Sequence, residues 1–158
     1  MIRPAAQGDS SAMGKIYCLS WQGGYKDILP EEYLAALTEE VCAPKKVNPD
    51  CNLVWEEADG TLAGLVNFGA ARGGEENIGE LRAIYVLPEV WGSGIAAKLF
   101  SAAAERLKAR GFEHFYLWVL EDNLRARRFY EKMGMRRADE RKEVNIGGKF
   151  AAEVKYVI

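Results

Sequence analysis

The stretch Leu81-Arg82-Ala83-Ile84-Tyr85-Val86-Leu87-Pro88-Glu89-Val90-Trp91-Gly92-Ser93-Gly94-Ile95-Ala96-Ala97-Lys98-Leu99-Phe100 decides the reading of this chain. A run of apolar, β-branched and aromatic residues predicts a strand over Glu80 to Leu87. Pro88-Glu89-Val90-Trp91 breaks it, two glycines follow, and from Ile95 the apolar positions Leu99, Ala103 and Leu107 recur at helical spacing until Gly111 supplies a left-handed stop. A strand, a glycine loop and a helix in that order make an anion site. Glycines remove the β-carbons that would hold a ligand off the backbone, while unpaired amides and the positive end of the helix dipole favour phosphate oxygens.

Two phosphate chemistries compete for this loop. No Gly-Lys-Ser/Thr follows the glycines, so it is not a Walker loop. Gly92, Gly94 and Ala97 satisfy the Gly-x-Gly-x-x-Gly/Ala dinucleotide pattern, and Glu113 lies about 20 residues on. Yet Glu113 falls at the start of its expected strand, where a ribose ligand belongs at the end. The loop also begins past the middle of the chain, leaving too little sequence for two mononucleotide halves. A dinucleotide-binding protein therefore stands only as an alternative.

Outward from the loop, the chain reads as alternating elements without repeats or low-complexity linkers, so one domain over residues 1–158 is expected. Ile2 to Ala5 suits an edge strand, Asp9, Ser10 and Ser11 offer caps for a helix toward Trp21, and Pro30-Glu31-Glu32 opens a second helix to about Glu40. Asn52 to Ala58 and Thr61 to Ala71 flank an Asp59-Gly60 turn and read as a hairpin. Phe112 to Leu120 reads as a buried strand, Asn123 caps a helix through Lys132, and Met135 to Val144 with Phe150 to Val157 form a closing hairpin around Gly147-Gly148. The expected class is α+β: a three-layer α-β-α domain around a mixed, mostly antiparallel sheet.

Composition narrows the function classes. The 158 residues are 49% hydrophobic and 28% charged with a formal net charge of -2, values of a folded chain able to bury a core. Three cysteines, Cys18, Cys42 and Cys51, contain no Cys-x-x-Cys pair, which argues against a disulfide framework or a thiolate zinc site and for a reducing compartment. No apolar run reaches membrane-span length, and Met-Ile-Arg-Pro opens into folded-looking sequence rather than a signal peptide, so a cytoplasmic location without a membrane partner is expected. Basic residues are dispersed in a slightly acidic chain, which disfavours nucleic acid. His114 is the only histidine and lacks a partner motif, so no metal is expected.

Charge is uneven. Residues 1–80 carry 6 basic and 13 acidic side chains, net -7, whereas residues 81–158 carry 15 basic and 10 acidic, net +5. A polyanion suits the second half and a cation the first.

The stretch from Ile84 to Ala96 resembles the pyrophosphate motif of the GNAT superfamily of acyl-CoA-dependent N-acyltransferases, Gln/Arg-x-x-Gly-x-Gly/Ala, with Trp91 standing at the Gln/Arg position. Asn123-Leu124-Arg125-Ala126-Arg127-Arg128-Phe129-Tyr130-Glu131-Lys132-Met133-Gly134-Met135 resembles the family's second block, and the element order matches over essentially the whole chain. The resemblance implies direct transfer of an acetyl group from acetyl-CoA to a primary amine, without a covalent enzyme intermediate. Carried over by position, Gly92, Ser93, Gly94, Ile95, Ala96 and Ala97 hold the pyrophosphate. The backbone of Ile84, Tyr85 and Val86 pairs with pantetheine, with the Val86 amide facing the oxyanion. Asn123 lies near the pantetheine end, and Tyr130 is the general acid. Glu80, 11 positions before Trp91, is the candidate base; the family's alternative position on the next strand holds Trp118. The acceptor is a small-molecule or peptide amine lined by Trp21, Tyr25, Glu31 and Glu32, and the charge asymmetry favours a small cationic amine. The Arg125, Arg127 and Arg128 cluster is either a solvated face or a reach toward the nucleotide phosphates. A homodimer is compatible with the sequence. A non-catalytic acyl-CoA-binding module is the second alternative.

Overall fold

The computed structural model describes all 158 residues. Seven strands, β1 (Ile2–Pro4), β2 (Asn52–Glu56), β3 (Leu62–Ala70), β4 (Ile78–Val86), β5 (His114–Leu120), β6 (Arg136–Ile146) and β7 (Lys149–Val157), form one sheet in the order β1-β2-β3-β4-β5-β7-β6. Every pairing is antiparallel except β4 with β5. The helices are α1 (Ser10–Gly24), α2 (Glu31–Ala35), α3 (Glu39–Cys42), α4 (Ile95–Ala109) and α5 (Leu124–Lys132). The expected α+β class is what the chain adopts, and a doubly wound parallel sheet, the frame of the dinucleotide alternative, is absent.

Two apolar clusters set the layers. Helix α4 buries Ile95, Leu99, Ala103 and Leu107, the stripe that the spacing predicts, against Phe68, Leu81 and Leu117 of the sheet. On the opposite face α1 buries Met13 and Ile16 against Val54, Leu65 and Leu87. Alternation along the strands sends neighbouring residues to the two layers, so β3 supplies Val66 to one cluster and Leu65 to the other.

The feature that positions the site is a fork. Strands β4 and β5 pair over only three positions, Ile78 with His114, Gly79 with Phe115 and Glu80 with Tyr116. Beyond them β4 stays with β3 as far as Val86, and β5 stays with β7 as far as Leu120, so the two parallel strands part. A bulge coincides with the parting: Asn67 of β3 faces Ala83 while Phe68 faces Leu81, which leaves Arg82 as an extra residue on β4. Such an insertion bends and twists its strand. Arg82 donates through Nη2 to Ala70 O at 2.9 Å, and a β-carbon at Gly69 would lie 2.8 Å from that nitrogen, so glycine there leaves room for the guanidinium in this position.

Glu80 sits at the last rung before the fork, 2% exposed. Arg72 grips it three ways: Nη2 to Oε2 at 2.7 Å, Nε to Oε1 at 3.0 Å and the backbone N to Oε1 at 3.1 Å. Burial pushes the carboxyl up, but these hydrogen bonds and the guanidinium charge outweigh it and the net shift is downward.

The expected helix from Pro30 to about Glu40 is corrected to two short helices. Pro30 is the N-cap of α2, and the chain turns extended at Thr38, whose Oγ1 accepts from Val41 N at 3.1 Å and caps α3 afresh. Asp9 does not cap α1; its carboxylate accepts from Ala6 N at 2.7 Å and pairs with Arg3 at 2.8 Å. Helix α1 also runs past Trp21 to Gly24, which brings its C-terminal end over the fork.

Because Glu80 has a folded pKa below its unfolded value, its stabilisation is present above about pH 4.5 and fades as the pH falls through the folded pKa. Glu80→Gln should cost about 1 to 3 kcal/mol at pH 7. Urea unfolding should show the difference from wild type shrinking as the pH falls below 4.5 and through the lowered folded pKa, where the native carboxyl becomes protonated.

Candidate functional site

The fork opens into a cleft of about 670 Å³. Its two sides are β4 from Leu81 to Val86 and β5 from Trp118 to Leu120, its mouth is the loop before α4 with the first turns of α5, and the end of α1 closes it from above. Every residue from Ile84 to Val86, every residue from Gly92 to Ala97, and Asn123, Tyr130, Trp21 and Tyr25 line it. The sequence scatters these positions over more than 100 residues; the fork gathers them.

The loop before α4 has the character its glycines require. Gly92 and Gly94 take φ of +79° and +88°, a region where a side chain is strained, and neither has a neighbour that a β-carbon would touch. The amides of Gly92, Gly94, Ile95, Ala96 and Ala97 have no acceptor within the chain, and the ladder of α4 begins with Lys98 N to Gly94 O at 3.2 Å. No side chain caps the helix. Five free donors at a positive helix end form a cradle for an anion. Trp91, the departure from the expected motif, is pinned by its Nε1 donating to Val86 O at 2.9 Å, and the Arg125 guanidinium stacks on its ring at 3.7 Å. Of the arginine cluster only Arg125 therefore reaches the cleft mouth; Arg127 is held by Tyr156 Oη and Glu121 O.

The edge of β4 that faces the fork carries free backbone groups. Leu87 N donates to Ala63 O at 2.9 Å, so by strand alternation Tyr85 also turns toward β3, and Ile84 and Val86 turn their peptide groups to the edge that β5 has left. The Val86 carbonyl accepts from Ser20 Oγ at 3.1 Å as well as from Trp91, leaving its N–H aimed across the cleft.

Asn123 caps α5, accepting from Ala126 N at 3.2 Å, and is 7% exposed. About two turns later Tyr130 packs its ring against Phe129 and Tyr156, with centroids 5.4 and 6.3 Å away. Core packing and cleft lining are thus both true of Tyr130. Burial, chiefly, raises the phenol above its ordinary value, so it stays protonated across the neutral range.

At the α1 end of the cleft Trp21 and Tyr25 meet edge to face at 4.9 Å, and Tyr25 Oη lies 3.2 Å from Tyr85 Oη. Burial pushes the Tyr25 phenol up to about 12. Glu153 of β7 joins them in the lining, 22% exposed, with Lys142 Nζ 4.0 Å from its Oε1.

Several expected residues stay apart. Glu80 does not line the cleft; Arg72 occupies three of the roughly four lone-pair sites of its carboxylate and the net pKa shift is downward, which makes it a weaker proton acceptor than a free carboxylate. Glu31 and Glu32 are exposed in the first turn of α2 and also lie outside the lining. His114 is exposed, its Nδ1 3.2 Å from Ile158 O. Glu153, Ser20 and Arg82 were not singled out by the sequence. Alternation along β7 puts Glu153 on one face with Ala151 and Lys155, but which face depends on a strand order that the sequence does not print.

Comparison with known proteins accords with this anatomy. Residues 12–135 match the Acetyltransferase (GNAT) family, a span that includes the fork, the glycine loop and α5. An uncharacterized N-acetyltransferase of Bacillus subtilis, YuaI, is 32% identical over 125 residues, covering 77% of this chain and 72% of the relative. A mycothiol acetyltransferase of Streptosporangium roseum is 41% identical over 66 residues, 42% of this chain but 20% of that longer protein. Among solved structures, the PaiA N-acetyltransferase of Thermoplasma acidophilum in complex with coenzyme A superposes with a TM-score of 0.76 at 25% identity, covering 99% of this chain and 98% of the other. The ribosomal-protein-alanine N-acetyltransferase of Brucella melitensis, at 19% identity and a TM-score of 0.74, shares the fold over 100% of this chain and 98% of its own. With parted strands, an uncapped glycine loop and a sequence match across both, the chain belongs to the GNAT acetyltransferase family.

Proposed function

We propose that this protein transfers an acetyl group from acetyl-CoA directly to a primary amine. The observation that carries the reading is the fork itself, whose free β4 edge and five unpaired loop amides share one cleft with the Tyr130 phenol. The CoA complex of the Thermoplasma neighbour supports coenzyme A as the ligand of this cleft.

The residues present fit that donor. The amides of Gly92, Gly94, Ile95, Ala96 and Ala97 match the pyrophosphate, a doubly anionic group that needs several donors when it leaves water. The Ile84 backbone and the Val86 N–H offer hydrogen-bonding groups to an amide-bearing arm lying between the parted strands, as an added strand would use them. Acetyl-CoA supplies an activated thioester when bound.

This chain's groups then divide the work. The Val86 N–H, fixed by its strand, stabilises negative charge developing on the carbonyl oxygen. Tyr130 holds its proton at neutral pH and delivers it to the leaving sulfur, while the proton that the attacking amine sheds passes to solvent water, from which the phenolate is reprotonated. Asn123 fixes the start of α5 and hence the position of Tyr130 seven residues on. Trp21 and Tyr25 form the apolar wall on the acceptor side and exclude water.

Three outcomes follow. Gly94→Val forces a side chain into φ of +88°, and calorimetry with acetyl-CoA should show binding weakened by about tenfold or more, with NAD giving no signal for wild type. Tyr130→Phe should keep acetyl-CoA affinity while thiol release in the presence of an acceptor amine falls by about 10²-fold; unchanged turnover would support the non-catalytic binding module. Any loss of turnover in Glu80→Gln should be independent of pH, since a base role would make it shrink at high pH, where the amine needs no help.

A further inference from the structure

We propose that Glu153 is the carboxylate that binds the cationic amine of the acceptor, so that the protein selects a primary ammonium on an apolar stem. The inference rests on the acetyltransferase reading above and deepens it.

The charged side chains lining the cleft are Arg82, Arg125, Lys132 and Glu153, which makes Glu153 the one anion that an acceptor meets there. Its backbone is held rigidly. β7 lies between β5 and β6, and Glu153 stands opposite Leu120 on one side and Lys142 on the other. The side chain projects to the α1 face of the sheet, alongside Trp118 and Leu120 of β5, which carry it toward Trp21 and Tyr25 rather than toward the glycine loop. Its position near the acceptor wall is felt electrostatically: its charge helps to raise the Tyr25 phenol and reaches Arg72 in the loop before β4.

The carboxylate is also underused. It is 22% exposed, accepts no hydrogen bond from the chain, and its nearest cation, Lys142 Nζ, stands at 4.0 Å on a side chain that is itself 47% exposed. Lys142 divides its attention with the Trp118 ring, 4.1 Å below its nitrogen. Lys155, two residues along the same face, is taken by Glu140 at 3.3 Å. An ionised carboxylate has about four lone-pair sites, and one partly desolvated without donors is a site for a group that brings its own. A primary ammonium carries three donors and a full charge. The Trp21 and Tyr25 rings lining the same cleft favour the same ligand, since aromatic faces attract cations and their edges pack against a methylene stem. Glu80 offers no competing site because it lies outside the cleft lining and is held by Arg72 through three hydrogen bonds.

The contribution is binding and selection, so it falls on KM and on direct affinity more than on kcat. The test is a calorimetric titration of the CoA-loaded protein with 1,5-diaminopentane, which needs no turnover, repeated at low and high salt. Glu153→Gln keeps the volume and the strand while removing the charge. It should weaken the diamine by about 10- to 100-fold, the worth of a charge-assisted hydrogen bond, and leave CoA affinity unchanged. Lys142→Met, which removes the competing cation and keeps an apolar stem over Trp118, should tighten the diamine. Acetylation of the diamine should show the Glu153→Gln loss in KM, with Glu153→Asp recovering part of it. Diamine affinity that is absent in wild type, indifferent to salt, or unchanged in Glu153→Gln overturns the assignment. Loss of CoA binding by wild type would instead overturn the acetyltransferase reading, so the two failures are separable.

Discussion

The parallel ladder between β4 and β5 lasts three rungs, and everything else about the site depends on its ending there. A sheet interior normally leaves no backbone group unpaired, because a buried donor or acceptor without a partner costs as much as a lost hydrogen bond. Here both strands remain anchored on their outer edges while their inner edges separate, so the unpaired groups of Ile84 and Val86 are held still beside a cleft rather than left floppy. The extra residue Arg82 bends β4 at the point of parting, and Gly69 leaves room for its guanidinium. A continuous β4–β5 ladder would fill the cleft with protein.

Seen this way, Glu80 does structural work that its sequence position disguises. Its spacing from Trp91 fits a proton acceptor, yet spacing says nothing about what surrounds a side chain. Arg72, from the loop that leads into β4, closes on both carboxylate oxygens and ties that loop to the last rung of the ladder. A buried carboxylate without such a partner would have its pKa raised and become a base; the partner reverses the sign. The same residue type in the same strand can thus be a rivet or a base, and one arginine decides which.

The limits of sequence legibility have the same origin. What was legible rests on local chemistry: the stripe of Leu99, Ala103 and Leu107, the glycines at positive φ, the Asn123 cap, and the closing hairpin at Gly147-Gly148 all appear as expected because each is specified by residues within a few positions of itself. Thr38 was legible in principle as a cap before two glutamates, but Pro30-Glu31-Glu32 suggested one longer helix, and a nearby start signal outweighed a second one. The Gly92 to Ala97 loop was legible from its own glycines, whereas the assignment of Asn123 and Tyr130 to the cleft came through the family resemblance rather than through any local rule. Glu153 and Ser20 did not come through at all, because their meaning depends on which strand neighbours which and where α1 ends.

Charge distribution shows how that dependence misleads. The net -7 of residues 1–80 suggested that the first half supplies the anionic surface for an acceptor, yet Glu31 and Glu32 face solvent, Glu56 and Asp9 are paired with Arg3, and Glu80 with Arg72. Exposed charges are screened over about 8 to 10 Å at ordinary salt, so their sum governs encounter more than recognition. Recognition belongs to charges inside the cleft, where water and ions are scarce. The carboxylate found there comes from the second half, the one with net +5, on a strand inserted between β5 and β6. The proposal of a cationic acceptor therefore rests on a reason of place: one half-buried carboxylate in the cleft, rather than a surface excess that the fold has already neutralised or turned to solvent.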